Sequence, residues 1–500
     1  MPEPDAGGPA PTGSDERSAA HGQPTSALDP QLLQASAAAS EAARPLVQPA
    51  TYKWQALRTK WLATRYPLVA VALLLLVVSL PRTTEAVVAV ITRYPAAGTA
   101  ALLLWILYAF PLIWVVNRFD FFEREPMTLI AMALAWGGVI ATSMAVQANA
   151  AVFSLLTSWF GEAFTQRWGA ALAAPSTEEL LKAIGIVAVI LLALRGVRSA
   201  IDGFVVGAMV GLGFQVVENF VYTGNLLLAS GVSGEPFATV MNVFFVRGIG
   251  AGLWSHAVYS GVAGLGIGYA VTRNDRSIGR RLFVAAAMLG LAWFMHFVWN
   301  LPSLLENAQA LAPLVKAAII LALLGLVIVR SQGRESYIYT GFLEAVQDPQ
   351  IITDAEIEQL RTYQSREAAV RAAGRRGGER AADAARMLQR AQADLSVALA
   401  TGDLPRVAEA KQRIAQARSR RSEAELLPPD VGYGWGVASI WTSILGVLIP
   451  IIGPLVAAVL AWIGLHEARS RGAGVASTVR AAWPIAGVSL ALGVVLLLII

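Results

Sequence analysis

The sequence predicts an all-α protein, a polytopic transmembrane helical bundle of about eight core spans with a helical cytoplasmic insert and a C-terminal membrane hairpin of two to three helices. Its 500 residues are 56% hydrophobic and only 15% charged, whereas a soluble domain is about 45–50% apolar and about 25% charged. The charges are also clustered, because residues 331–430 hold 15 of the 39 basic and 15 of the 34 acidic residues. This composition excludes an ordinary soluble enzyme, and no nucleic-acid partner is expected.

The chain divides into four predicted regions. Residues 1–60 are rich in small and polar residues without a periodic apolar face, so we expect a disordered tail. Residues 61–330 form the core, where apolar stretches recur near the ~20 residues that cross a bilayer. A surface-lying or loop helix is expected at 150–173, which charges interrupt. The predicted spans are 64–80, 97–116, 127–148, 177–195, 203–223, 240–270, 281–301 and 311–330.

Basic residues are concentrated in alternate loops of the core. They precede the first span and follow the second, fourth and sixth, whereas the loops at 224–239 and 302–312 contain no Lys or Arg. The positive-inside rule then places the N-terminus and residues 331–430 in the cytoplasm of a multi-pass protein of the cell membrane. Because the chain has no cysteine, thiolate zinc sites and cysteine nucleophiles are excluded.

The last two regions differ sharply in composition. Residues 331–430 are predicted to be a charged helical spacer with two solvated helices, 355–373 and 378–426, that can pair as a short coiled coil. Residues 431–500 are apolar again and resemble a small bacterial membrane domain of unknown function. Gly453-Pro454 breaks their first stretch, which suggests a re-entrant hairpin with a packing role.

Ionisable side chains inside the spans are the candidate functional residues, because each costs roughly 2.5–3.5 kcal/mol or more at the centre of a bilayer. Glu178 and Glu179 open the fourth span, and neighbouring carboxylates suit general acid–base chemistry. A structural explanation is also available. Ser176 or Thr177 can cap the helix, acids favour its first turn, and Glu178 and Lys182 are i,i+4 partners.

The fifth span carries a polar stripe beside a row of glycines. Phe214, Glu218 and Tyr222 are spaced by four residues, with Asn219 adjacent. Small residues on the same helix allow a neighbouring helix to approach closely, so Glu218 is expected to face a packed interface. The glycine row consists of Gly203, Gly207 and Gly211. Glu218 is then either a site residue or a structural hydrogen-bonding residue.

Two histidines lie in the next two spans. His256 belongs to a row of small residues repeated every four positions from Gly248 to Gly268, and His296 lies one turn before Asn300. Two imidazoles with one to three carboxylates are a set that suits zinc. The alternative is that each histidine is buried and satisfied by one neighbour. Depths along the helices allow all these residues to converge in the outer half of the bilayer.

These motifs, in this order, resemble the PrsW family of bacterial intramembrane proteases, part of the wider group of CAAX-processing-type membrane proteases. The loop from Phe119-Asp120 to Glu125-Pro126 is also similar, and the resemblance covers about residues 61–345. The matching pieces are Glu178-Glu179-x-x-Lys182, Phe214-x-x-x-Glu218-Asn219-x-x-Tyr222, His256 with Gly264, and His296-x-x-x-Asn300.

The resemblance implies an intramembrane endopeptidase that cleaves membrane-anchored proteins, such as anti-sigma factors, as a first step in signalling. Glu178 and Glu179 would supply the water-activating base and its partner. Asn300 would stabilise the oxyanion, and Asn219 belongs to the same implied catalytic set. Glu218, His256 and His296 would complete the water site or bind a metal, with zinc favoured.

The residues themselves leave alternatives open. A Glu–His pair can activate water without a metal, whereas a metal would act on the water directly. Buried polar groups also line ion pathways in transporters and channels, although residues 61–330 contain no convincing internal repeat. A catalytically inactive scaffold would use the same side chains to hold its helices together.

Overall fold

The computed structural model describes residues 49–117, 121–122, 125–192, 197–230, 235–273, 275–302, 312–346, 348–426, 433–445, 452–470, 475 and 477–499. These residues form helices and no β-strand, which confirms the predicted all-α class. Residues 1–48 of the predicted disordered tail and most of the 118–124 loop lie outside the described residues. Residues 49–60, predicted to belong to the tail, form the first turns of the first helix.

The core is built from α1 (Pro49–Arg93), α2 (Pro95–Val116), α3 (Met127–Phe160), α4 (Glu162–Leu192), α5 (Ala200–Ser230), α6 (Pro236–Val243), α7 (His256–Thr272), α8 (Ile278–Asn300) and α9 (Ala312–Glu344). Seven stretches of the described residues are long and apolar enough to cross a membrane: α1, α2, α3, α5, the segment from α6 to α7, α8 and α9. The protein is therefore a multi-pass membrane protein. The remaining predicted span lies in α4, where Glu178, Glu179 and Lys182 interrupt the apolar run.

The helix that carries the paired glutamates begins earlier than predicted. α3 continues to Phe160, the chain turns at Gly161 (φ 84°), and α4 starts at Glu162. Residues 150–173 therefore belong to the end of α3 and the start of α4 and do not form a separate surface-lying or loop helix. Ser176 does not cap a helix, because its hydroxyl donates to the carbonyl of Leu172 at 2.6 Å within α4. Glu178 consequently lies well inside a helix, and the helix-start explanation fails.

Helices α5 and α7 pack backbone against backbone. A Cβ atom on Gly207 would lie 2.1 Å from the carbonyl oxygen of Ser260, and one on Gly211 would lie 2.1 Å from that of His256. The predicted small-residue rows of the fifth and sixth spans thus face each other from His256 to Gly268. This close approach fixes the first turn of α7 against the middle of α5.

The predicted sixth span, 240–270, is not one continuous helix. α6 passes into a π-helical stretch, Phe244–Ala251, and a short 3₁₀ turn, Gly252–Trp254. Ser255 then leaves the helical region with φ −103° and ψ −129°, and α7 begins at His256. Interruptions of this kind are frequent at functional sites. His256 is therefore presented by a helix start rather than by the middle of a long helix.

The insert is helical as predicted but is not a pair of solvated helices. It contains α10 (Asp354–Leu360), α11 (Tyr363–Thr401) and α12 (Leu404–Leu426), and α9 runs into it without a break. α11 folds back at Gly377 and Gly378, and Gly402 (φ 67°) ends it within the predicted 378–426 helix. These helices enclose their own apolar core, which includes Leu343, Leu360, Leu388, Leu395 and Ile414.

The C-terminal region contains α13 (Tyr433–Leu445), α14 (Ile452–Ser470) and α15 (Ser477–Ile499). A Cβ atom on Gly436 would lie 2.5 Å from Thr478 Oγ1, so α13 packs closely on α15. The predicted break at Gly453-Pro454 falls at the beginning of α14. The first apolar stretch therefore forms two helices, which agrees with a hairpin rather than a single span.

Candidate functional site

Side chains from α3, α4, α5, the α6–α7 segment and α8 converge on a cavity of about 150 Å³ inside the core. Glu179, which is also a predicted site residue, lies behind the residues that line the cavity and contacts His296. The structure therefore brings the predicted residues of four helices into one site. The predicted residues that line the cavity are Glu178, Glu218, Asn219, His256, His296 and Asn300.

Glu178 is a buried carboxylate, 3% exposed, that faces the cavity. Its Oε1 accepts a hydrogen bond from Asn149 Nδ2 at 3.0 Å. Its Oε2 has no hydrogen-bond partner among the described residues, and it lies 3.6 Å from Lys182 Nζ and 3.8 Å from His256 Nδ1. One oxygen of Glu178 is therefore free to accept a bond from a molecule or ion in the cavity.

Glu179 is engaged by protein groups on both oxygens. Its Oε1 lies 2.7 Å from Lys182 Nζ and 2.9 Å from His296 Nδ1, and its Oε2 accepts a bond from Ser260 Oγ at 3.4 Å. A carboxylate only accepts, so the hydrogen-bond network assigns the proton of His296 to Nδ1. His296 Nε2 then carries a lone pair, and Glu179 orients the ring.

His256 is held between a cation and an anion. Its Nδ1 lies 3.0 Å from Lys182 Nζ, and its Nε2 lies 3.0 Å from Glu218 Oε2. Because the lysine ammonium only donates, Nδ1 accepts and the proton is assigned to Nε2, which donates to Glu218. Arg247 Nη2 lies 2.9 Å from the same Glu218 oxygen. Glu218 Oε2 is thus paired with both His256 and Arg247.

Lys182 is fully buried at the centre of this network. It contacts Glu178, Glu179 and His256, and its Nζ lies 4.2 Å from the centre of the Phe214 ring. Three carboxylates thus share the site with two cationic side chains, Lys182 and Arg247. The formal charge is negative while both histidines are neutral, which favours a cation in the cavity.

The two predicted asparagines have partners that limit their roles. Asn219 Oδ1 accepts from Arg247 Nε at 2.8 Å, and its Nδ2 has no partner among the described residues. Asn300 Nδ2 donates to the backbone carbonyl of Ala170 at 3.2 Å. Both side chains line the cavity, but only Asn219 presents an entirely unused amide donor there.

Sequence reasoning missed three residues that shape the cavity: Asn149, Arg247 and Tyr259. Asn149 lies one residue beyond the predicted third span. Arg247 carried a detectable signal, since a charge inside a predicted span is costly. Tyr259 follows His256 by three residues, which places both on one helix face. None of them belonged to a recognised motif.

A divalent cation fits the residues at this site. Glu178, His256 and His296 each offer a donor atom, and these atoms lie within 4.8 Å of one another. Tetrahedral zinc with bonds near 2.1 Å separates its ligand atoms by about 3.4 Å, so the donors would need to move closer. His256 would also exchange its contact with Lys182 or Glu218 for the ion. The sequence-based set used Glu218, whereas the donor group in the structure contains Glu178, whose Oε2 is buried without a hydrogen bond among the described residues.

A buried cavity of carboxylates and imidazoles within a bundle of apolar helices is the kind of site expected of an intramembrane hydrolase. Residues 125–329 match the model of the PrsW family intramembrane metalloproteases. This segment is therefore a PrsW family domain, as the motifs predicted, and the protein is a membrane protease that acts on membrane proteins in a lipid environment. No curated protein and no solved structure matches the chain.

Proposed function

We propose that the protein is an intramembrane endopeptidase that cleaves membrane-anchored signalling proteins of the anti-sigma-factor kind, with Glu178 acting on the attacking water. The observation that carries this proposal is the unpartnered Oε2 of Glu178, buried in a cavity beside two imidazoles. A carboxylate in this state is a ready proton acceptor. Its position inside a helical bundle matches a substrate that lies in the membrane.

Each neighbouring side chain takes a distinct part in the proposed reaction. Glu178 Oε2 accepts the proton of the water as the water oxygen adds to the scissile carbonyl. His296 Nε2, oriented by Glu179, accepts a hydrogen bond from the same water. Glu218 and Arg247 hold His256 in its tautomer, and Lys182 keeps Glu179 charged. The catalytic set proposed from the sequence is thus divided into groups that face the cavity and groups that position them.

We propose zinc, held by Glu178, His256 and His296, as the alternative to this glutamate chemistry, because its ligation would occupy Glu178 Oε2 and His296 Nε2, the two atoms that act on the water without a metal. A metal at this position would polarise the water and the carbonyl. The negative formal charge of the site and the free oxygen of Glu178 support this ligand set over the set with Glu218, which Arg247 already neutralises. The identity of the carboxylate ligand is open to direct measurement.

We further propose the division into a tail (1–60), a protease core (61–330), a charged spacer (331–430) and a C-terminal membrane domain (431–500). The core would sit in the cell membrane with the N-terminus and the spacer in the cytoplasm. The alternation of basic loops in the sequence supports this orientation. The separate apolar core of the insert supports its treatment as a unit.

The test of the activity uses purified protein in liposomes with a membrane-tethered peptide, with the products identified by mass spectrometry. Glu178→Gln and Glu179→Gln should each lower the cleavage rate by about 10²–10⁴-fold. Glu162→Gln on the same helix is the matched control, because Glu162 is exposed, lies outside the cavity lining and accepts a hydrogen bond from Gln166. Cleavage that persists in both site variants would remove these residues from the mechanism.

The test of the metal is elemental analysis of the purified protein and its variants. Stoichiometric zinc that is lost in Glu178→Ala and His296→Ala but kept in Glu218→Ala supports the ligand set proposed from the structure. Zinc that is lost in Glu218→Ala but kept in Glu178→Ala would instead support the ligand set predicted from the sequence, in which Glu218 is the carboxylate ligand. Active protein without metal would favour glutamate chemistry.

A further inference from the structure

Three residues that line the cavity each carry a buried polar atom with no hydrogen-bond partner among the described residues. These atoms are Glu178 Oε2, Asn219 Nδ2 and Tyr259 Oη. Buried polar groups in native proteins are nearly always bonded, so three exceptions around one cavity call for a ligand. One of the three is an acceptor, and the other two can donate. A bound molecule must therefore present both a donor and an acceptor.

The donor character of Asn219 follows from its neighbour. Arg247 Nε donates to Asn219 Oδ1 at 2.8 Å, and an arginine has no acceptor that could bond the amide nitrogen instead. This contact fixes the orientation of the amide. The Nδ2 group is therefore the free end of the amide, and it is buried without a hydrogen-bond partner among the described residues in a side chain that lines the cavity.

The position of Tyr259 is fixed by the two histidines. Its ring stacks on His296 with centroids 5.1 Å apart at 22°, and it meets His256 edge to face at 5.9 Å and 72°. The residue is completely buried in the turn of α7 that packs on the glycine row of α5. The ring therefore has little freedom, and its buried hydroxyl has no hydrogen-bond partner in the part of the chain that the structure describes.

We propose that Tyr259 Oη and Asn219 Nδ2 form the oxyanion hole of this protease. The inference rests on the proposed peptidase function and adds to it a catalytic residue outside the family motifs. Both groups would donate hydrogen bonds to the carbonyl oxygen of the scissile bond as it gains negative charge. Glu178 Oε2, the unpartnered acceptor, would bond the attacking water on the other side.

Hydrolysis of the peptide bond conserves atoms, electrons and protons with water and these side chains alone. Water adds to the carbonyl carbon, the π electrons of the C=O bond move to its oxygen, and one water proton passes to Glu178. When the C–N bond breaks, the oxyanion re-forms the carbonyl, and the proton on Glu178 passes to the leaving nitrogen. Tyr259 and Asn219 donate hydrogen bonds throughout and lose no proton.

Asn300, the oxyanion donor expected from the sequence, is less suited to this role. It is only half-buried, and its Nδ2 already donates to the carbonyl of Ala170. An oxyanion hole acts most strongly where water is excluded and the donors are fixed before reaction. Tyr259 meets both conditions, because it is buried and clamped by aromatic rings on two sides.

The test compares Tyr259→Phe with Tyr269→Phe, the same change ten residues further along α7 and outside the cavity lining. Tyr259→Phe removes one oxygen and keeps the ring that stacks on His296. Loss of one oxyanion donor costs about 10²–10³-fold in kcat. We expect such a fall in the cleavage of the membrane-tethered peptide, with KM within about twofold of wild type. Tyr269→Phe should cleave at the wild-type rate.

A second measurement does not depend on turnover. A phosphinic analogue of the same peptide presents a tetrahedral anion in place of the scissile carbonyl, and its Kd is measured beside that of the amide peptide. Wild type and Tyr269→Phe should bind the analogue much more tightly than the amide. Tyr259→Phe and Asn219→Ala should each lose most of that difference. Thermal unfolding of Tyr259→Phe should match wild type, whereas Asn219→Ala also removes the bond to Arg247 and should unfold at a lower temperature.

The outcomes separate this inference from the proposed function. Normal cleavage and normal analogue binding by Tyr259→Phe overturn the oxyanion hole and leave the peptidase standing. Analogue binding that depends on Tyr259 in a protein that never cleaves supports the anion site and rejects the peptidase. If wild type binds the analogue no more tightly than the amide, the oxyanion hole is overturned whatever the activity.

Discussion

The cavity in the membrane core and the packed insert bury carboxylates in opposite ways. In the insert, Glu356 accepts bonds on Oε2 from the backbone N–H of Thr353, from Gln392 and from Arg418, and on Oε1 from Arg418 again. In the core, Glu178 accepts one bond from Asn149 on Oε1, and its Oε2 has no partner among the described residues. Both residues are buried.

The difference shows how buried charge should be interpreted. A buried carboxylate whose bonds are all made contributes to structure, and Glu356 belongs to this kind. A buried carboxylate with an unused oxygen costs stability, and a protein keeps it where a ligand or substrate completes the bonding. Burial alone does not separate the two cases. The hydrogen bonds do, and the following predictions test that distinction.

The largest expected effect is on stability, from Lys182→Met in the core. This change keeps the length of the side chain but leaves Glu179 and Glu178 buried without their cation, and breaking a buried ion pair costs about 3–5 kcal/mol. Denaturation in detergent micelles should show this loss. Lys411→Met in the insert, which lies outside the cavity lining, should cost much less. Equal losses would mean that Lys182 does not neutralise the site.

A smaller loss is expected from Glu356→Gln in the insert. The change weakens bonds to the Arg418 guanidinium, and hydrogen bonds to charged groups contribute about 1.5–3 kcal/mol. Hydrogen exchange should rise in residues 354–426, and peptide cleavage should stay within twofold of wild type. A fall in cleavage without faster exchange would show that the insert acts on the site and would contradict its structural assignment.

The same Glu→Gln substitution at Glu178 should have the reverse effects on stability and on cleavage. Glu178→Gln removes a buried carboxylate with an unused oxygen and keeps an amide oxygen for Asn149, so the change in unfolding free energy should be at most about 1 kcal/mol and should favour the variant. Cleavage should nevertheless be lost. A variant that is both inactive and strongly destabilised would place Glu178 among the structural residues, like Glu356.

The sequence predicted much of the core because charge is scarce in apolar spans. Six predicted residues line the cavity and Glu179 lies directly behind it, since each was an exception to a strong compositional rule. The choice between Glu178 and Glu218 could not be made from spacing. It depends on Arg247, which reaches Glu218 because the helix unwinds after Phe244 and breaks at Ser255.

The packing of the insert was harder to predict because charged residues are common there and mark no exceptions. Its helices are alanine-rich and charged, so small buried residues such as Ala381, Ala391 and Ala398 share the core with a few scattered leucines and do not form a wide apolar stripe. Small side chains permit close helix packing without a strong sequence signal. The two adjacent glycines predicted a break at Gly377–Gly378. They did not predict which helix the returning chain packs against.

The smallest expected effect is at the contact between the two regions. Phe121, in the loop between α2 and α3, lies under the Arg366 guanidinium at 4.0 Å, and its backbone carbonyl accepts a bond from Arg390. Burial lowers the pKa of Arg366 to about 10, which keeps it charged at neutral pH. Phe121→Leu should therefore lose about 0.5–1 kcal/mol of docking energy, the range of a cation–π contact.

Hydrogen exchange in α11 measures this loss, and Tyr363→Leu, an exposed change on the same helix, is the control. We expect faster exchange around Arg366 in Phe121→Leu alone, with cleavage unchanged. If cleavage fell while exchange stayed the same, the loop would be part of the site and the insert would be a regulator of it. Unchanged cleavage with faster exchange would show that the paired charges of the insert stabilise the packing of the insert itself. The polar atoms of the cavity that lack hydrogen bonds would then act independently of that packing.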